Sequence, residues 1–408
     1  MAEQSERAFL VYAGPRRGAD LAFYLEELRG LCEAAGAEVA GEIVQSLPQP
    51  DPKGYLGPGK LAEAAQDASE LGAGFLLAAA ALSARQEREL ERQTGLKVVD
   101  RTALILDIFA QRALTQEGKL QVELAQLSYL LPRLRRVAGS LSRLGGGIGT
   151  RGPGESKLET DRRRLRDRIA DLERRLSLVE RQRAVSRQER RDLPRVALVG
   201  YTNAGKSTLL RALTQGGGGG EDRLFATLDP LTRRLKLPGR QEALLTDTVG
   251  FVQDLPTELV AAFRATLEET ALADLLLHVV DASHPDWPRQ SDAVQATLQA
   301  IGAGDLPQIQ VFNKIDRLPP AAREEVPGLR ISARDGVGVD ALRAAIAERL
   351  ASRRVLRRFT IPLSRGDILA QVRAHGEVLR EEAGETEIRV EAWIDSAWAG
   401  RVAAELHG

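Results

Sequence analysis

A single cysteine, Cys32, stands in a chain of 408 residues, so neither an internal disulfide nor a thiolate metal cluster can form. It falls in an apolar helical pattern and reads as a small core residue, in keeping with a reducing compartment. Histidines number four; His278 and His375 stand alone, with no neighbours that would complete a metal site. Aromatic residues make up 4% of the chain, which argues against an aromatic stacking platform and leaves charge and shape as the means of contacting nucleic acid. Of these aromatics, Trp393 and Trp398 read as core. The longest apolar run, Phe75 to Leu82, is far short of a bilayer span, and the N-terminus lacks the charged, apolar and small-residue order of a signal peptide. The expectation is a cytoplasmic protein with no membrane span.

Net charge is also lacking: 57 Lys and Arg balance 57 Asp and Glu. The distribution is uneven, because Arg133 to Arg191 holds 18 basic against 8 acidic residues, an excess that marks one segment for contact with polyanions. Hydrophobic residues at 43% and charged ones at 28% are those of an ordinary soluble protein, long enough for two to four domains.

Up to residue 100, short apolar runs alternate with amphipathic stretches: Phe9 to Tyr12, Leu21 to Ala35, Val39 to Leu47, Lys60 to Leu71, Phe75 to Leu82, Ser83 to Gln93 and Val98-Val99. This predicts a small parallel α/β unit. Within it, Gly54-Tyr55-Leu56-Gly57-Pro58-Gly59-Lys60-Leu61 imitates a phosphate loop, but Leu61 stands where a hydroxyl should hold a metal and prolines precede it. It reads as a helix-capping loop.

Residues 101–192 are helical. Leu120, Leu124, Leu127, Leu131 and Leu134 step by four and three as far as Pro132, which should bend or end the helix, and Leu165, Ile169, Leu172, Leu176 and Val179 repeat the step. These are two seams of an antiparallel hairpin, with Arg162 to Arg164, Arg166, Arg168, Arg174 and Arg175 mostly outward. A helix of about 30 residues projects roughly 45 Å. The tip, residues 137–157, carries seven glycines with Arg143, Arg151 and Lys157, a loop whose backbone can approach RNA phosphates.

From 193 to 352 the chain reads as a doubly wound sheet. The apolar run Val196 to Val199 feeds Gly200-Tyr201-Thr202-Asn203-Ala204-Gly205-Lys206-Ser207-Thr208. The glycines turn backbone N–H groups toward phosphate oxygens, Lys206 supplies a point charge, and the Ser207 hydroxyl can ligate Mg²⁺. Four further motifs follow in order. Leu224-Phe225-Ala226-Thr227-Leu228-Asp229-Pro230 offers Thr227 to Mg²⁺ and a terminal phosphate. Asp247-Thr248-Val249-Gly250 puts a carboxylate beside the metal and a backbone N–H at the γ-phosphate. In Asn313-Lys314-Ile315-Asp316 the Asp316 carboxylate accepts from guanine N1–H and amine, Asn313 reaches N7 and Lys314 packs over the base. Ser332-Ala333-Arg334 presents a backbone N–H to O6. Leaving Asp316 unpaired against adenine costs ~1–3 kcal/mol, so GTP should beat ATP by roughly 10²-fold.

Turnover should be slow, because Phe251 follows Gly250 and cannot orient water. The groups at hand for catalysis are Lys206, Thr227, Gly250 and Asn203, whose carbonyl could hold K⁺ beside the β-phosphate. The run Gly216 to Gly220 should leave the threonine loop disordered until a ligand orders it. Residues 353–408 read as strand, helix, strand, helix: a small α/β appendage.

Together the phosphate loop, Leu-Phe-Ala-Thr-Leu-Asp-Pro, Asp-Thr-Val-Gly-Phe, Asn-Lys-Ile-Asp and the upstream Gly-Thr-Arg-Gly-Pro-Gly-Glu-Ser-Lys-Leu-Glu-Thr-Asp resemble the HflX family of ribosome-associated GTPases over nearly the whole chain. The resemblance implies an N-terminal α/β subdomain with a helical hairpin, a GTPase domain and a small C-terminal domain. It implies further a monomer that binds rRNA and proteins of the large ribosomal subunit and splits or rescues stalled ribosomes. The residues themselves leave open a GTP-regulated RNA- or ribosome-binding module without productive turnover, and an NTP-driven RNA remodeller using Lys60.

Overall fold

The computed structural model describes residues 6–141, 153–188, 193–214, 224–225, 227–254, 269–351 and 354–407. Part of the glycine-rich tip (142–152), the Gly216 to Gly220 run and Ala226 lie outside the described residues.

The first sheet alternates with helices as the sequence pattern requires: β1 (Glu6–Gly14), α1 (Gly18–Ala34), β2 (Ala37–Ser46), α2 (Pro58–Glu70), β3 (Phe75–Ala78), α3 (Ala84–Thr94) and β4 (Lys97–Asp100). All its pairings are parallel, in the order β2-β1-β3-β4. Parallel strands need crossovers, and the helices supply them on both faces. Cys32 is fully buried in this core, and burial pushes its thiol up to about 12. The Gly54 to Lys60 segment is the N-terminal cap of α2, with Pro58 in the first turn, Leu61 buried and Lys60 ion-paired to Glu63.

Two further helices make the arm root and arm: α4 (Arg101–Arg112) and α5 (Gln116–Leu141), answered by α6 (Pro153–Gln188). Leu120, Leu124, Leu127, Leu172 and Leu176 pack together along the seam, and Arg168 bridges to Glu123 at 2.7 and 2.9 Å. Both helices run further than the sequence suggests. Pro132 neither ends α5 nor confines it, and residues 137–141 and 153–157, expected in the tip loop, are helical. Proline is tolerated at a helix start, which is where Pro153 falls. At the arm's base Arg133 donates to Asp100 (2.8 Å) and to the Leu82 carbonyl, with its guanidinium 3.4 Å from the Tyr129 ring centroid.

The second sheet holds β5 (Arg195–Val199), α7 (Lys206–Thr214), β6 (Leu231–Leu237), β7 (Gln241–Asp247), β8 (Leu275–Asp281), α8 (Trp287–Ala300), β9 (Gln308–Asn313), α9 (Pro320–Glu325), β10 (Leu329–Arg330) and α10 (Val339–Ala351). Its order is β10-β9-β8-β5-β7-β6, parallel except for the edge strand β6. Strand order reverses beside β5, so the loops leaving β5, β7 and β9 open onto one crevice.

A third sheet, β11-β13-β12, is antiparallel. It is built from β11 (Arg354–Pro362), α11 (Gly366–His375), β12 (Gly376–Ala383), β13 (Glu387–Asp395) and α12 (Ser396–His407). Strand β12 escapes the sequence pattern because its Glu377 and Glu381-Glu382 face water on an edge. Trp398 is core, but Trp393, expected in the core, is 40% exposed on the open face of the sheet.

Candidate nucleotide site

Positive backbone angles build the phosphate loop. Gly200 (φ +152°) and Gly205 (φ +93°) admit no side chain: a Cβ would overlap the Val279 carbonyl at the first and Asn313 Nδ2 at the second. Asn203 is also left-handed (φ 62°), and its Oδ1 lies 3.4 Å from Lys314 Nζ. Lys206, fully buried, donates to the carbonyls of Gly200 and Tyr201 at 3.0 and 2.9 Å. Burial lowers its ammonium to about 8, against the pull of Asp247 and with the push of Lys314.

Around Ser207 three oxygen groups converge. Ser207 Oγ is 2.7 Å from Thr227 Oγ1 and donates to Asp247 Oδ2 at 2.6 Å; Thr227 donates to the same Oδ2 at 2.9 Å. Asp247 Oδ1 is buried with no hydrogen-bond partner among the described residues. Burial raises this carboxyl, while Lys206, Ser207 and Thr227 oppose the rise. Two hydroxyls and a dry carboxylate oxygen are hard donors that suit Mg²⁺, which keeps the rest of its shell for phosphate and water. No group of three His, Cys, Asp or Glu side chains able to hold a metal occurs among the described residues.

Phosphate loop and following motif are joined through backbone. Phe251 N–H donates to the Gly200 carbonyl (3.1 Å) and Thr202 N–H to the Phe251 carbonyl (2.8 Å). Gly250 is pressed so close to Thr202 that a Cβ would come within 2.9 Å of its Cα and 3.1 Å of Lys206 Nζ. Thr248 donates to the Leu198 carbonyl, fixing the end of β7, and Val249 faces the core.

At the far end Asn313 locks two loops, donating to the Ala204 carbonyl and accepting from Ala333 N–H, each at 2.9 Å. Ser332 donates to Asp316 (2.7 Å), Arg334 pairs with Asp316 (3.0 Å), and Lys314 with Asp281 (2.8 Å). One cavity of about 600 Å³ joins these groups. Its wall holds Thr202, Asn203, Gly205, Lys206, Ser207, Thr208, Phe225, Thr227, Thr248 and Gly250 at one end and Asn313, Lys314, Asp316, Ala333 and Arg334 at the other. Gln111, Arg112 and Leu114, from the end of α4, also line it.

That contribution from the N-terminal half belongs to a wider contact absent from the sequence reading. Phe225, Leu228, Val249 and Val252 are core residues of the first sheet's inner cluster, with Phe225 edge-on to Phe109 at 4.7 Å. In return Phe23 of α1 enters the second sheet's core beside Tyr201 and Phe251. A polar knot closes the seam: buried Glu27 accepts from Arg101 (2.6 Å), from the Tyr201 hydroxyl and from Gln253 N–H (3.1 Å). Arg101 also donates to the carbonyls of Gln253 and Asp254. Burial pushes the Glu27 carboxyl up, with Arg101 pulling it down. The sequence held one signal: Glu27 sits at the core-facing spacing of Phe23, Tyr24, Leu28 and Leu31, where a charge must find a partner.

Residues 23–110, 112–190 and 195–314 match family models described as GTP-binding GTPase N-terminal, GTP-binding GTPase middle region and 50S ribosome-binding GTPase. The GTPase HflX of Caldanaerobacter subterraneus subsp. tengcongensis is 46% identical over 91% of this chain and 87% of its own length. The GTPase HflX of Escherichia coli (strain K12) is 46% identical over 90% of this chain and 89% of its own. Among solved structures, that of a GTP-binding protein from Sulfolobus solfataricus in complex with GDP covers 84% of this chain and 98% of its own, at 24% identity and a TM-score of 0.45. With the relatives matching from sheet to arm to phosphate loop, the chain belongs to the HflX family of GTPases.

Proposed function

We propose that this GTPase binds the large ribosomal subunit in its GTP form through the helical arm, and that hydrolysis releases it, splitting or rescuing stalled ribosomes in the cytoplasm. The units taking part are residues 1–100, the arm 101–192, the GTPase unit 193–352 and the appendage 353–408. One observation carries the reading: Thr227 stands on Ser207 and Asp247 while the residues flanking it are packed against α4 and the root of the arm. A group that senses the terminal phosphate is thus in contact, through its neighbours, with the element suited to reach RNA.

In this reading Gly200 to Thr208 wrap the phosphates, Lys206 bridges β and γ, and the Gly250 N–H faces the γ-phosphoryl. Ser207 and Thr227 would hold Mg²⁺ with Asp247 behind them; bound there, the ion neutralises charge that builds on the phosphate oxygens. Asn313, Lys314 and Asp316 hold guanine, and O6 competes with Asn313 Oδ1 for the Ala333 N–H, with Ser332 and Arg334 around it. Phe251 leaves the attacking water without a side-chain partner, so basal turnover is slow and a ribosomal group, or K⁺ at Asn203, completes the site.

The test is GTP turnover with and without large ribosomal subunits, in K⁺ and in Na⁺, for the wild type and a variant lacking residues 139–157. Stimulation that disappears with the tip is the expected result. Slow turnover unchanged in every condition would overturn it.

A further inference from the structure

The threonine loop is fastened to the first turn of the arm by one side chain that the nucleotide chemistry leaves unused. Asp229 Oδ2 accepts from Leu114 N–H and Thr115 N–H, each at 2.9 Å, and Oδ1 accepts from the Thr115 hydroxyl. Thr115 in turn accepts from Gly118 N–H (3.0 Å) at the start of α5. Gly118 N–H is one of the donors a helix leaves orphaned in its first turn, Thr115 caps it, and a carboxylate beside that helix end is favoured by the helix dipole. Gly118 is part of the fit, since a Cβ on it would overlap Asp229 Oδ1. A second attachment lies on the other side of Thr227, where Phe225 packs on Phe109 and Leu224 lies against Gly30 of α1. Thr227 therefore sits between two anchors that both belong to the N-terminal half of the chain.

The two anchors differ in kind. Phe225, before Thr227, and Leu228, between Thr227 and Asp229, are 2% and 3% exposed, so their contacts with the inner cluster are dry and persistent. Asp229 meets a surface elbow where Leu114 is 81% exposed, and water competes for its hydrogen bonds. The Asp229 clasp is the attachment that can open without unpacking a core, and it is continuous with α5.

We propose that Asp229 is a positioning residue for GTP hydrolysis: its clasp on Leu114 and Thr115 ties Thr227 to the root of the arm, so that the attitude of the arm decides whether Thr227 remains at Ser207 and Asp247. The inference rests on GTP hydrolysis and is independent of ribosome binding. It places in α5, a helix outside the GTPase sheet, a control on the catalytic step that ground-state binding of GDP does not feel, because GDP lacks the phosphate that Thr227 serves.

The experiment measures basal GTP turnover without ribosomes and fluorescent GDP affinity for D229A, D229N and G118A, with thermal melting as the check on folding. For D229A, kcat should fall about tenfold or more while GDP affinity stays within about threefold. D229N keeps one oxygen able to accept from the two N–H groups and should recover part of kcat. G118A, which leaves every GTPase-unit residue intact, should reproduce the loss from the arm side. The D229A/G118A double variant should be no slower than D229A alone, since both remove one contact. Turnover within twofold of wild type in D229A and G118A, parallel loss of GDP affinity, or additive losses in the double variant would each overturn the proposal.

Discussion

Replacing Arg101 with methionine should unfasten the segment after Gly250, and the size of the effect should depend on pH. Arg101 is 4% exposed and Glu27 3%. Removing the cation leaves the carboxylate buried against Tyr201 and Gln253, where an unpaired charge costs about 3–5 kcal/mol. Glu27 can escape by taking a proton. From an ordinary value of 4.5 that costs about 3 kcal/mol at pH 7 and about 0.7 kcal/mol at pH 5, at ~1.36 kcal/mol per unit. The readout is hydrogen exchange at Gln253 N–H, which donates to both Glu27 and Tyr201. After correction for intrinsic rates, R101M should lower its protection about 10²-fold more at pH 7 than at pH 5. Adding E27Q should restore most of it, because the buried charge is gone. A loss equal at both pH values, or additive in the double variant, would refute the assignment of Glu27 as a charge held by Arg101.

Lys206 sets a second pH dependence. Its folded value near 8 lies below its ordinary 10.5, so folding favours the neutral amine: its contribution to the stability of the nucleotide-free protein rises between pH 8 and 10.5. Nucleotide binding needs the ammonium, and GDP affinity measured by calorimetry should fall about tenfold from pH 7 to 9. His278, which burial holds down to about 4, must take a proton as the protein unfolds in acid, so thermal stability should decline as pH drops from 6.5 toward 4. Gly205→Ala places a Cβ on Asn313 Nδ2 at a left-handed position, and should weaken GDP and GTP equally, by about 10²-fold, with the circular dichroism spectrum unchanged. Asp316→Asn replaces an acceptor with a donor and should move preference from guanine to xanthine nucleotides in a competition assay.

The candidate site was legible as a grouping because the residues that meet around it come from short contiguous motifs following apolar strands: Lys206 and Ser207 after β5, Asp247 and Gly250 after β7, Asn313 and Asp316 after β9. Thr227 was legible by its neighbours Phe225 and Asp229, although the role of those neighbours was not. Phe225 and Leu228 look like loop hydrophobics in sequence, and nothing in their spacing says that they complete the core of a sheet that ended at Asp100. Gln253 meets Arg101 and Glu27 across 152 and 226 positions, and those two meet across 74, beyond any periodic signal. The exposed face that holds Trp393 and the edge strand β12 were missed for a related reason: on a three-stranded sheet, tryptophan and glutamate can each stand on the wet side, and composition does not choose the face.

The shared core of the first sheet also has a consequence in time. The buried residues that the N-terminal half gives to its cluster have all been made by Ala125, yet Phe225, Leu228, Val249 and Val252 belong to the same cluster. At a synthesis rate of roughly 5–20 residues per second, the roughly 100 residues from Ala125 to Phe225 take about 5–20 s. Throughout that interval the surface made by Phe109 and its neighbours waits uncovered, so the N-terminal unit of this chain finishes folding only when the GTPase unit is emerging to close it.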